Sequence, residues 1–199
     1  MLFRSAGNAN SENSNDQYSR LSEFAIKGAK IIPMHPNFGK NLICEIETFK
    51  GCPRYKKGGC SFCTETQKGA PIFREQDQII QEIRELYEIG CVHFRLGNQT
   101  DFYSYKHGEY EKERYPKPNL KAIEYLLKGI RQQAPDLKTL HIDNVNALNF
   151  SLYEPEAIEI TKLIAEYCTE GNIAAIGIES IDPQVIEKNN LKVQKDEAM

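Results

Sequence analysis

Glu45-Ile-Glu-Thr-Phe-Lys-Gly-Cys-Pro-Arg-Tyr-Lys-Lys-Gly-Gly-Cys-Ser-Phe-Cys63 is the stretch on which the reading of this chain turns. The apolar run 42–46 that leads into it has the length and composition of a buried strand. A single loop then carries three cysteines, Cys52, Cys60 and Cys63, spaced seven and then two residues apart. Three chemical readings are open for such a loop. A structural zinc site normally takes four Cys or His ligands in two close pairs, and here there is one close pair, one outlying cysteine and no nearby histidine. Free thiols or a redox pair are the second reading. The third is an iron–sulfur cluster in which three thiolates hold three of four irons and leave the last open to another ligand; the spacing favours this one.

Outward from the loop, one unit repeats: a short apolar strand, a loop, an amphipathic helix. The stretch 77–89 predicts a helix, with Ile79, Ile80, Ile83, Leu86 and Tyr87 on one stripe and Gly90 as the stop. Val92, Phe94 and Leu96 alternate with His93 and Arg95 in a second strand. A helix over 119–133, a strand over 137–142, a helix over 155–168 and a strand over 173–178 continue the pattern. Asp182-Pro183 supplies an N-cap and first-turn pair for a further helix. Strands alternating with helices predict an α/β fold with about four parallel strands and outer helices. In such sheets, functional groups gather in the loops after the strands. The cysteine loop, Gly97-Asn98-Gln99, Asp143-Asn144 and Glu179-Ser180 all hold that position, so four loops are expected to meet at one rim.

The same reading assigns the rest of the chain. Residues 1–20 form a polar, asparagine- and serine-rich lead expected to be disordered, and 21–199 form the core. A short helix is expected over 20–29. The segment 100–117, with Phe102, Tyr103, Tyr105, His107, Tyr110 and Tyr115, is expected to be either a lid over the rim or a loose surface insertion. Glu45 and Glu47 share a strand face, as do His93 and Arg95. His141 and Asp143 flank Ile142 and are candidates for the rim, although a satisfied core histidine is the commoner fate. Cys44, Cys91 and Cys168 sit in apolar surroundings and read as packing thiols. A chain of 199 residues needs no disulfide staples, which predicts a reduced, cytoplasmic protein. Its net charge of −3 gives no nucleic-acid signal. No apolar run reaches the roughly 18 residues of a membrane span, and the polar N-terminus lacks the apolar core of a secretory signal.

The cysteine loop resembles the cluster motif of the radical S-adenosylmethionine (SAM) superfamily, down to the aromatic Phe62 before the last cysteine. Three residues and then two is the commoner spacing there, so the seven-residue first gap is a departure. Glu45-Ile-Glu-Thr, Gly-Cys-Pro-Arg, Gly-Gly-Cys-Ser-Phe-Cys-Thr-Glu, Phe94-Arg-Leu-Gly and His141-Ile-Asp-Asn together are similar to a narrower, largely archaeal group of Fe–S oxidoreductase-like proteins. Its full-length members carry a C-terminal helix-hairpin-helix. The similarity covers about residues 22–192.

That resemblance implies a [4Fe–4S] cluster on Cys52, Cys60 and Cys63, with S-adenosyl-L-methionine as cofactor. It places Phe62 beside the adenine, and Gly97, Asn98 and Gln99 at the methionyl end, where the superfamily has Gly-Gly-Glu. Asn98 and Gln99 depart from that element, so the contact would be neutral. It also groups Asp143 and Glu179 with the cofactor contacts, Glu179 near the ribose. An electron donor of the ferredoxin or flavodoxin type and a substrate that the sequence does not identify are implied with them. The implied fold is a partial (β/α) barrel. Only about four strands are legible, so a truncated or split family member is expected, with a second chain as a possible source of the missing strands. The alternative function is a metal-binding module, iron–sulfur or zinc, that is catalytically incomplete without a partner.

Overall fold

Three strands in sequential order make the central sheet. A computed structural model describes residues 11–108 and 115–198, with side chains described from residue 20. In chain order the elements are α1 (Ser11–Gly28), β1 (Cys44–Glu47), β2 (Phe49–Lys50), β3 (Ile72–Phe73), α2 (Gln76–Glu88) and β4 (His93–Gly97). There follow α3 (Leu120–Gln133), β5 (Thr139–Ile142), β6 (Asn144–Val145), α4 (Leu148–Leu152), α5 (Glu154–Tyr167), β7 (Ala175–Ile176) and α6 (Pro183–Lys188). β1, β4 and β5 lie side by side and parallel, Ile46 opposite Leu96 and Leu96 opposite Ile142. The predicted α/β class with a parallel sheet is therefore present. Among the described residues the sheet does not close into a barrel.

The two faces of this sheet follow from strand alternation. Ile46, Phe94, Leu96, Leu140 and Ile142 are buried, against Ile79 and Ile83 of α2 and Ile123, Leu126, Leu127 and Ile130 of α3 within one core. α2 packs on α3 and α3 on α5, so the helical layer runs in chain order. Paired residues of parallel strands share a face, so Glu45, Arg95 and His141 form a polar row across the other side. Fourteen-residue α3 starts on Asn119, whose side chain accepts from the Ala122 amide.

Three expectations change. The fourth strand shrinks to Ala175–Ile176, and its partner is the short extension β6 rather than β5. The switch happens at Asp143, whose N–H donates to Leu96 O while its own carbonyl accepts from Ala175 N. The polar lead is helical from Ser11, because α1 packs on α2 and β3, and Ser22 accepts a hydrogen bond from buried Arg74. Its second half coincides with the helix expected over 20–29. Residues 1–10 of the lead lie outside the described residues.

The aromatic segment is neither lid nor loose insertion where it is described. Phe102, Tyr103, Tyr105 and Tyr115 are buried. Tyr105 donates to Arg74 O at 2.7 Å, and its ring meets Phe73 edge-on. Tyr110 lies outside the described residues. Among the described residues no helix is long and apolar enough to cross a membrane.

Candidate functional site

β2 and β3 form a two-residue antiparallel clasp at the base of the cysteine loop, Phe49 opposite Phe73 with ring centroids 5.1 Å apart. The loop leaves β2 through Gly51 at φ +89°, and a Cβ there would lie 2.8 Å from Ala70 O. Both the left-handed backbone and the close approach require glycine. Short 3₁₀ turns at Tyr55–Lys57 and Glu65–Lys68 then bracket Cys60 and Cys63.

Arg54 ties two of the thiols together. Its backbone N–H donates to Cys52 Sγ and its Nη1 to Cys60 Sγ, each at 3.4 Å. Burial pushes the Cys52 thiol up. The Arg54 N–H and charge oppose that shift, Cys63 nearby adds to it, and Lys192 weakly opposes it.

The cysteines open onto a cleft of about 570 Å³. Eight of the nine residues singled out from the sequence line it: Cys52, Cys60, Phe62, Cys63, Asn98, Gln99, Asp143 and Glu179. The four loops predicted to meet at one rim therefore do meet. Gly97 stands behind the lining. A Cβ on it would lie 3.0 Å from Glu45 Cδ, so the glycine makes room for that carboxylate.

The lining residues differ in what they offer a ligand. Asn98 adopts φ 60°, a left-handed turn that asparagine tolerates, and donates to Glu47 Oε2 at 3.1 Å. Buried Gln99 donates to Leu96 O and accepts from Thr48, so its side-chain amide holds the end of β4 to the end of β1. The Asp143 carboxylate is paired with Arg95 and accepts from Asn144 Nδ2. Glu179 and Lys192 converge: a Cβ on Gly177 would be 3.0 Å from Glu179 Oε1 and 3.1 Å from Lys192 Nζ. Phe62 stays 64% exposed at the rim, with an open face for stacking.

Asn144, expected at the rim with Asp143, lines the cleft too, and Arg54, Asn146 and Lys192 line it without having been singled out from the sequence. Arg54 stands in the Gly-Cys-Pro-Arg motif, so its position was visible and its hydrogen bonds to sulfur were not. His141 turns aside from the rim and meets Glu170 O at 3.2 Å.

Among the described residues, no three His, Cys, Asp or Glu side chains stand together closely enough to hold one metal ion. Three thiols from one loop, two of them accepting N–H donors and all bordering a cleft, are a donor set that fits a cluster.

No known family model matches the chain. Among curated proteins, an uncharacterised protein of Methanocaldococcus jannaschii is 50% identical over 175 residues, 87% of this chain and 32% of that protein. One of Archaeoglobus fulgidus is 43% identical over 179 residues, 90% of this chain and 32% of its own length. A second M. jannaschii protein is 32% identical over 121 residues, 59% of this chain and 23% of that protein. The chain thus spans about a third of the length of the first two relatives.

Proposed function

We propose that the cleft is a radical SAM site, with a [4Fe–4S] cluster on Cys52, Cys60 and Cys63 and S-adenosylmethionine beside it. When bound and reduced, the cluster supplies the single electron that cleaves S-adenosylmethionine to methionine and a 5′-deoxyadenosyl radical, chemistry that side chains alone cannot perform. The observation that carries this reading is the convergence of the cysteine loop with the ends of β4, β5 and β7 on one cleft. Arg54 lowers the cost of concentrating negative charge on the thiolates. Phe62 offers its exposed ring to the adenine. Asn98, already turned by its left-handed backbone, presents a polar side chain for the methionyl end, and Glu179 presents a carboxylate for ribose hydroxyls. Asp143, held by Arg95, acts on orientation.

An external one-electron donor of the ferredoxin or flavodoxin type completes the system, and the substrate is a molecule from which a carbon-bound hydrogen is taken. The competing reading, a metal-binding module, iron–sulfur or zinc, that needs a partner, would hold iron or zinc and form no product. The test is anaerobic reconstitution with iron and sulfide, followed by assay of 5′-deoxyadenosine in the presence of reductant and S-adenosylmethionine. Product formation that disappears in each of Cys52→Ser, Cys60→Ser and Cys63→Ser is the expected result. Iron uptake without any product, or tight zinc without iron, would contradict the reading.

A further inference from the structure

The cysteine loop is held from outside by a segment more than a hundred residues downstream. Asn190 Oδ1 accepts from Arg54 Nη2 at 3.0 Å. Its Nδ2 donates to Lys57 O at 3.0 Å and to Gly59 O at 2.6 Å. One side chain thus grips three points of the seven-residue gap between Cys52 and Cys60, the gap that is longer than the common superfamily spacing. Asn189 grips the second gap: its carbonyl accepts from the Ser61 amide at 3.0 Å, and its Oδ1 from the Ser61 hydroxyl at 2.7 Å.

The gripping segment is itself anchored. α6 is capped by Asp182, which accepts from the Gln184 and Val185 amides. Ile186, Leu191 and Val193 are buried on either side of the asparagines. Asn190 takes φ 47°, a left-handed conformation that aims its side chain and that most residues adopt only under strain. An exposed hydrogen bond contributes little alone, because water replaces it readily. Five such bonds from two adjacent residues on an anchored segment fix a geometry.

We propose that Asn190 is a positioning residue for the cysteine loop, holding the Arg54 guanidinium against Cys60 Sγ. This rests on the radical SAM reading of the same loop, in which Cys60 is a cluster ligand. The residue does not touch the cluster; it acts through Arg54 and through the Lys57 and Gly59 carbonyls. Hydrogen bonds to cluster sulfurs are among the determinants of reduction potential, so the grip sets both the spacing of the thiols and the ease of reduction.

Two variants separate the backbone from the side chain. Asn190→Gly keeps the left-handed backbone and removes all three side-chain bonds. Asn190→Asp keeps the acceptor for Arg54 and loses both donors. In the metal-free chain, alkylation of Cys60 by iodoacetamide, measured against buried Cys168, is expected to fall on the order of tenfold in Asn190→Gly, because the thiolate that reacts loses the guanidinium held against it. Asn190→Asp should give a smaller fall, with the thermal midpoint of both variants within a few degrees of wild type. In the iron-loaded chain, Asn190→Gly and Arg54→Lys should both move the midpoint potential to more negative values, and Asn190→Asp should restore most of the shift. An unchanged alkylation ratio and potential in Asn190→Gly would overturn the proposal while leaving the cluster assignment intact. A wild-type chain that takes up no iron would instead remove the cluster reading, and the alkylation ratio would still decide whether Asn190 holds the loop.

Discussion

Cys168 and Cys52 are both thiols withdrawn from water, and their surroundings set them to different tasks. Burial pushes Cys168 up to about 12 from 9.0, with Arg131 only weakly opposing it, so it stays protonated and inert. Cys44 is raised to about 12 as well, by burial and then by its neighbour Cys91. Cys52 feels the same burial with an N–H and a guanidinium of Arg54 set against it. A folded pKa above the unfolded one means that the contribution of Cys168 to stability is fully present below about 9 and is lost as the pH rises through about 12. Cys168→Ala should therefore flatten the fall in stability across that alkaline window, read from urea midpoints as a function of pH. A variant with the wild-type slope would show that another group governs it. The packing role of these thiols was legible in the sequence from their apolar neighbours. The roles of Arg54 and Asn190 were not, because their contact spans 136 residues and leaves no periodic trace.

At the scale of elements, what the sequence revealed depended on whether an element carries its own periodicity. α2, α3 and α5 begin and end within a residue or two of the predicted bounds, since their apolar stripes recur at helical spacing. The segment after β4 has no period, and its fate is decided by Asp101. That carboxylate is 0% exposed. It accepts from the amides of Tyr103 and Asn146, the hydroxyls of Ser104 and Tyr115, and Asn149 Nδ2. One buried carboxyl group thus ties the segment after β4 to the turn after β6 and to Tyr115, and it fixes two residues that line the cleft, Tyr115 and Asn146. Asp101→Asn turns an acceptor into a donor facing other donors. The expected loss is about 3 kcal/mol, or roughly 10 °C in the thermal midpoint for a domain of this size. A loss below about 2 °C would show that the network is dispensable.

For the whole molecule, alternation of strands and helices makes the parallel sheet and the common rim legible in the sequence itself. The extent of the sheet was not readable, because the apolar run 173–178 has strand composition while only Ala175 and Ile176 find a partner, on β6. Ile176 within that short pairing and Ile173 just before it both lie exposed. The strand ends that line the cleft are in place. The central proposal is that Cys52, Cys60 and Cys63 would hold a four-iron cluster at this cleft. Electron paramagnetic resonance of the anaerobically loaded, reduced chain, with and without S-adenosylmethionine, tests it most directly. The account predicts the signal of a reduced [4Fe–4S] cluster that changes shape when S-adenosylmethionine is added and is absent in Cys63→Ser. A signal indifferent to S-adenosylmethionine, or none in a chain that holds zinc, would contradict it.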